Sequence, residues 1–176
     1  NLNTTEKKLA SDIALDVREA GRGKRDSNGK FVRNKNGKII KVPGTLKSTK
    51  AVGWYIDEYR QAQVSMNLTD FNITSPHIAF DEVCIQASKR GLRVTGSELV
   101  GLIPLSAILD AGRYYLSKQN QSTGIPEEEI INVAIKSLGL DDLTNFDPKE
   151  KIIEYRIGNK YGDLVNSTIR EFINEL

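Results

Sequence analysis

Between residues 50 and 102 this chain holds three short runs whose side chains alternate strictly between apolar and polar, and the polar phase carries almost no charge. In the run 63–68, Val64, Met66 and Leu68 fall on one side while Gln63, Ser65 and Asn67 fall on the other, the two-residue period of a β-strand. The run that opens with Leu92 repeats the pattern, with Leu92 and Val94 against Arg93, Thr95 and Ser97. A sheet face that only meets water usually carries Lys and Glu, so amides and hydroxyls on two runs predict the wall of a cleft. The pattern speaks of binding, not of chemistry.

The remaining sequence supplies helices to cover the apolar phase. Leu9, Ile13 and Val17, with Ala10 and Ala14 beside them, predict a first helix over 5–20 that Gly21 ends. Strands over 50–56 and 62–68 are joined tightly enough to be antiparallel. Ser75 and Pro76 start a second helix with a predicted buried stripe of Ile78, Phe80, Val83, Cys84 and Ala87, and Gly91 stops it. Pro104 and Pro126 open two more helices, the second with the acidic first turn Glu127, Glu128, Glu129, and Asp147-Pro148 starts another short element. Over 166–176, Ile169, Phe172, Ile173 and Leu176 are spaced as on an amphipathic helix, and no internal repeat is evident. The order helix, strand, strand, helix, strand lacks only a leading strand to become the split βαββαβ arrangement. The predicted fold is therefore α+β and ferredoxin-like, with residues 1–3 as the end of a mostly missing first strand and additional helices following.

A chain of 176 residues with 39% apolar content can bury one good core, and no run is long enough to cross a bilayer. The single cysteine, Cys84, excludes an internal disulfide; its apolar neighbours read it as a packing residue rather than a reactive thiol, which fits a reducing cytoplasm. The chain begins Asn-Leu-Asn without methionine, which reads as a cut piece or a processed product. Its net charge of +2 hides an asymmetry: residues 22–50 hold ten bases against one acid, a balance of +9, leaving −7 elsewhere. That basic insert reads as a small solvated hairpin, with Phe31-Val32 and Ile39-Ile40 flanking an Asn34–Gly37 turn, and its field attracts polyanions.

Candidate residues follow, each with its plainer reading. Arg22 and Lys24, in Gly21-Arg22-Gly23-Lys24, offer cations for ligand carboxylates, or simply form a solvated loop after a helix stop. Gln63, Ser65 and Asn67 line either a ligand site or a surface packed on a companion domain, and Thr95 and Ser97 offer the same chemistry. Glu98, after Gly96-Ser97, could accept paired hydrogen bonds from a ring amine and ring N–H, or be an edge residue bonded to solvent. His77, the only histidine, reads as a surface residue at a helix start; a neutral, proton-accepting imidazole is the sharper alternative. No metal, P-loop or dinucleotide motif is present in the sequence.

KAVGWYIDEYRQAQVSMNLTDF, followed by TGSELVGLIPLSAILDAGRYY, resembles the C-terminal subdomain of glutamate formiminotransferases, folate enzymes of histidine degradation. The likeness takes in DVREAGRGK (16–24) and KSLGLDDLTNFDPKEKIIEYR (136–156), and AQVSMNL and GSELVGL stand in the expected order and spacing. It assigns 1–158 to that subdomain, with the basic insert at 22–50, and 159–176 to a linker and the start of a helix like that of the cyclodeaminase domain. The resemblance implies transfer of the formimino group of N-formimino-L-glutamate to tetrahydrofolate, a cosubstrate, without a metal. It also implies an N-terminal formiminotransferase subdomain and a following cyclodeaminase domain as partners, a dimer, and a cytoplasmic location, with neither membrane nor nucleic acid bound. The family's catalytic histidine lies in the N-terminal subdomain, whose segment has no match here, so no catalytic residue is assigned and His77 does not inherit the role. Folate and substrate contacts are expected from Arg22, Lys24, Gln63, Ser65, Asn67, Ser97 and Glu98. The alternatives are a ferredoxin-like module that binds nucleic acid through the basic insert, with Tyr55 as its one candidate stacking ring, or a purely structural partner domain.

Overall fold

A computed structural model describes residues 1–158, which form an α+β protein with short antiparallel sheets and several helices. Although length alone predicts one core, the described residues divide into two compact units, 1–97 and from Glu98 onward. The helix expected over 166–176 lies outside the described residues.

The first unit is organised by helix α1, Lys7–Val17, which packs on the hairpin of β3, Thr49–Ile56, and β4, Gln61–Leu68. The hairpin pairs antiparallel in a single register, from Thr49 opposite Leu68 to Ile56 opposite Gln61. Gly53 decides how closely the helix can approach: a Cβ there would stand 2.1 Å from the Ser11 backbone nitrogen, so only glycine allows this contact. Ser11 Oγ in turn donates to the Gly53 carbonyl at 3.3 Å. The helix ends three residues earlier than its periodicity predicts, because Arg18 turns extended and the Thr45 and Leu46 N–H groups take the Asp16 and Val17 carbonyls, both at 2.9 Å.

Residues 1–4 lie beside β4. Leu2 N donates to Ala62 O at 3.0 Å and Ala62 N to Thr4 O at 2.8 Å. On the other side Leu2 bridges Val94 antiparallel, with Asn3 N on Arg93 O and Thr95 N on Asn1 O. The predicted strand from Leu92 to Val100 is thus shorter than its alternation: its pairing with residues 1–3 ends at Gly96, whose carbonyl accepts from Asn1 N at 2.9 Å. Helix α2, Pro76–Ser88, completes this core, which gathers Leu2, Ala10, Ile13, Ala14, Val17, Leu46, Ala51, Ala62, Ala79, Val83 and Ala87, with Val64, Met66, Leu68, Leu92 and Val94 against it.

The face of α2 that turns inward is rotated from the predicted stripe. Ala79, Val83 and Ala87 are buried with His77 and Gln86, whereas Ile78 is exposed, and so is Ile85. Small alanines let the helix sit close to its neighbours, and that steric gain outweighs the greater hydrophobicity of the isoleucines. Pro76 holds the first helical position as predicted, but the Ser75 hydroxyl meets the His77 ring instead of capping the backbone.

Between α1 and β3 the basic insert is more ordered than a single hairpin. Strands β1, Arg22–Gly23, and β2, Lys41–Val42, pair with each other, and bridges Arg25–Phe31 and Arg33–Ile39 fill the space between them. The cause is an eight-residue tandem repeat, contrary to the expectation of none: RDSNGKFV over 25–32 and RNKNGKII over 33–40. Each copy makes the same turn. Asp26 Oδ1 accepts from the Asn28 and Lys30 N–H groups at 2.9 Å, and Asn34 Oδ1 from those of Asn36 and Lys38 at 3.0 Å. Gly29 and Gly37 supply the positive φ that follows, 78° and 75°, and their carbonyls accept from the Arg25 and Arg33 guanidinium groups.

In the second unit α3, Leu105–Lys118, packs on α4, Glu127–Leu138. Both helices begin one residue after the proline that announces them, and Gly139 closes α4 in the left-handed region. The short α5, Pro148–Lys151, is capped by Asp147 Oδ1, which accepts from Lys149 N at 2.9 Å. Ile103 pairs with Ile152 and both are buried with Ala107, Ile108, Ile131 and Ala134. Lys136 Nζ, at 2.6 Å, and the Phe146 N–H both donate to Asp141, which holds its carboxyl below the usual value. Burial, and then its hydrogen bond to Glu127, push the Tyr155 hydroxyl up to about 12. Among the described residues no helix is long and apolar enough to cross a membrane.

Candidate functional site

The hairpin register sorts every side chain of β3 and β4 onto one of two faces. Because Gly53 meets α1, its partner Val64 and the pairs Ala51–Met66 and Tyr55–Ala62 lie on the helix side. The opposite face carries the pairs Trp54–Gln63, Val52–Ser65 and Lys50–Asn67. From β4 it carries the uncharged polar phase that the alternation predicts, and β3 adds Trp54, Val52 and, at the Asn67 end, the exposed cation Lys50. Trp54 is 48% exposed and Val52 55%, so a large apolar surface lies among the amides and the hydroxyl. Tyr55, the ring nominated for base stacking, is on the wrong face for that role; Trp54 occupies the place instead. The strict alternation expected of all three runs fails in β3, where 51–56 reads AVGWYI, so only the register sets its parity and reveals this.

Gln63 is buried at 8% exposure, and its Nε2 donates to Asn1 Oδ1 at 2.5 Å, which fixes the plane of the amide. Ser65 is half-buried and Asn67 exposed. Leu2 and Val94 belong to the core, so alternation puts Asn1 and Thr95 on the same side as Gln63. Ser97 follows the last paired residue and is half-buried, and Glu98 is exposed and opens the second unit.

Arg22 has structural work to do. Its Nε lies 2.6 Å from Asp16 Oδ1, and a terminal nitrogen donates to the Asp12 main-chain oxygen at 2.6 Å. Asp16 also pairs with Arg90, which donates to the Gln86 carbonyl at 2.9 Å, so one carboxylate ties α1, the start of the insert and the end of α2 together. This ion pair is invisible to a reading of Gly21-Arg22-Gly23-Lys24 alone. Lys24 is exposed at the root of the repeat and keeps its ammonium in solvent. His77, expected at the surface, is 8% exposed with its Nε2 3.0 Å from Ser75 Oγ, because the first turn of α2 packs inward. Among the described residues no group of three or more His, Cys, Asp or Glu is placed to hold a metal ion.

This face can bind and orient a neutral, planar, hydrogen-bonding ligand; it presents no nucleophile and no paired acid and base. The formiminotransferase domain family matches residues 1–158, and the chain belongs to that family. It is 42% identical over its whole length to formimidoyltransferase-cyclodeaminase of Sus scrofa, covering 30% of that protein. It is 44% identical over 86% of its length to the enzyme of the same name from Dictyostelium discoideum. A glutamate formimidoyltransferase of Streptococcus pyogenes is 34% identical over 54% of the chain. The chain thus spans less than a third of the length of these curated relatives.

Proposed function

We propose that this chain is the substrate-orienting part of a glutamate formimidoyltransferase that moves the formimino group of N-formimino-L-glutamate to tetrahydrofolate. The observation that carries the reading is the open face of β3 and β4, where Gln63, Ser65, Asn67 and Trp54 lie together opposite the covered core. In the reaction, N5 of the reduced pterin attacks the formimino carbon, the bond from that carbon to the glutamate nitrogen breaks, and glutamate leaves with a proton on its nitrogen. A positioned general acid supplies that proton, and it comes from outside this chain. The share of this chain is geometric: holding a planar ring and an amino-acid backbone in contact raises their effective concentration. Lys24 supplies a cation for carboxylates, and Ser97 and Glu98 extend the polar run. The engagement of Arg22 with Asp12 and Asp16 favours positioning its loop over contacting ligand.

The fold belongs to the same reading. The split βαββαβ arrangement is supported by residues 1–4 hydrogen-bonded between β4 and 92–95, which gives the spatial order 92–95, 1–4, β4, β3 with both helices packed in the core. The whole protein is then a cytoplasmic, dimeric enzyme of histidine degradation. Its N-terminal subdomain carries the catalytic acid, and a cyclodeaminase domain follows. Incubating the full-length protein with N-formimino-L-glutamate and tetrahydrofolate should release glutamate and form 5-formiminotetrahydrofolate, while the 176-residue chain alone should not turn over. Absence of transfer by the full-length protein would overturn the proposal.

A further inference from the structure

Trp54 is the sole tryptophan of the chain, and it leaves about half its surface in solvent on the face of β3 and β4 opposite α1. An indole is the largest apolar side chain, and leaving it exposed forgoes the burial that would otherwise stabilise the fold. Its surroundings define what would cover it. Val52, two residues along the same strand, is exposed on the same side and lies about 7 Å away by the rise of a strand, so ring and methyl groups form one apolar strip. Across the hairpin, Gln63 faces Trp54 and Ser65 faces Val52, so a carboxamide and a hydroxyl border the strip. Gln63 is fixed in orientation by Asn1. A flat strip with uncharged hydrogen-bonding groups along its edge matches a planar heterocycle rich in ring nitrogens better than a flexible aliphatic group or an anion.

We infer that Trp54 is the platform on which the pterin ring of the reduced folate stacks, with the Gln63 and Ser65 side chains at the ring's edge. The inference rests on the folate reading above and adds to it the residue that grips the ring. It places the pterin, and with it the attacking N5, at the Ala62 end of the hairpin rather than at the Asn67 end. Trp54 is thereby a binding and positioning residue, and the proton transfers remain elsewhere.

The test uses the full-length protein and two probes, 5-formyltetrahydrofolate and p-aminobenzoylglutamate, the second lacking the pterin. By calorimetry Trp54→Leu should bind the reduced folate on the order of tenfold more weakly, Trp54→Phe should stay within about threefold of wild type, and the pterin-free probe should bind all three alike. The fluorescence of Trp54, taken as wild type minus Trp54→Phe and corrected for absorbance, should be quenched by the reduced folate and not by the pterin-free probe. Equal folate affinity in wild type and Trp54→Leu, without quenching, overturns the inference and leaves the folate reading standing. Failure of the wild type to bind the reduced folate overturns both. Equal weakening of both probes refutes the pterin assignment, and loss of assembly in Trp54→Leu at unchanged folate affinity shows a protein surface on the indole instead. Should Trp54→Leu not fold by circular dichroism, the difference fluorescence decides: quenching supports stacking and its absence overturns it.

Discussion

The two faces of the β3–β4 hairpin come from the same sixteen residues and obey opposite rules. On the helix side contact is so close that Gly53 has no room for a methyl group, and Ala51 and Ala62 are buried beneath α1. On the other side Trp54 and Val52 stay exposed, and their partners Gln63 and Ser65 carry no charge. The difference teaches where stability and binding are separated in this chain: one face is specified by volume, the other by hydrogen-bonding chemistry.

The comparison breaks most visibly if the covered face tolerates loss or gain of volume. Ile13 is fully buried, so Ile13→Ala should destabilise the protein by about 2–5 kcal/mol in chemical denaturation. Gly53→Ala forces a methyl group against the Ser11 backbone and should cost about 1–3 kcal/mol, read the same way. A neutral result at Gly53 would mean that helix and sheet are not in the contact described.

The tandem repeat offers a gentler probe. Its turns are satisfied by their own Asp26, Asn34 and arginine groups, so replacing 25–40 by a short Gly-Ser linker, which leaves Thr45 and the buried Leu46 in place, should spare soluble expression. If the basic turns draw anionic substrate, that deletion should lower the apparent association rate at low salt, and the difference should shrink as ionic strength rises past about 0.1 M. Loss of soluble protein would show that the repeat supports the core.

The smallest effect lies in the second unit and belongs to neither face. The folded Tyr155 hydroxyl is raised to about 12 from 10.0, so it stays protonated where the unfolded chain ionises. Its contribution is complete below pH 10 and is lost as pH rises toward 12, and Tyr155→Phe should flatten that limb of the pH–stability curve. A wild-type curve no steeper than that of the variant over this window would remove Tyr155 as its cause.

Much of this arrangement was legible in the residues because it depends on period. The alternation in 63–68 named the polar face, and the prolines and Gly139 marked the helices of the second unit. What was missed depends on register and on neighbours. Trp54 could be put beside Gln63 only after the strands were paired, and the α2 stripe moved because alanines let a helix approach its neighbours more closely than isoleucines do. Arg22 looked available until Asp16, six residues earlier and on a helix, was brought to 2.6 Å. The eight-residue repeat was hidden because its copies differ at four positions in charge or size, Asp26 against Asn34, Ser27 against Lys35, Phe31 against Ile39 and Val32 against Ile40. Their shared turn is set by the side-chain oxygen common to Asp and Asn.

The central claim is that the open face contacts ligand and does not hold the fold, and Asn67→Ala in the full-length enzyme tests it most directly. Asn67 is exposed on that face, so thermal stability should be nearly unchanged while kcat/KM for formimino transfer falls by a factor equivalent to about 1–3 kcal/mol. An unchanged kcat/KM, or a loss of activity matched by an equal loss of stability, would contradict the account.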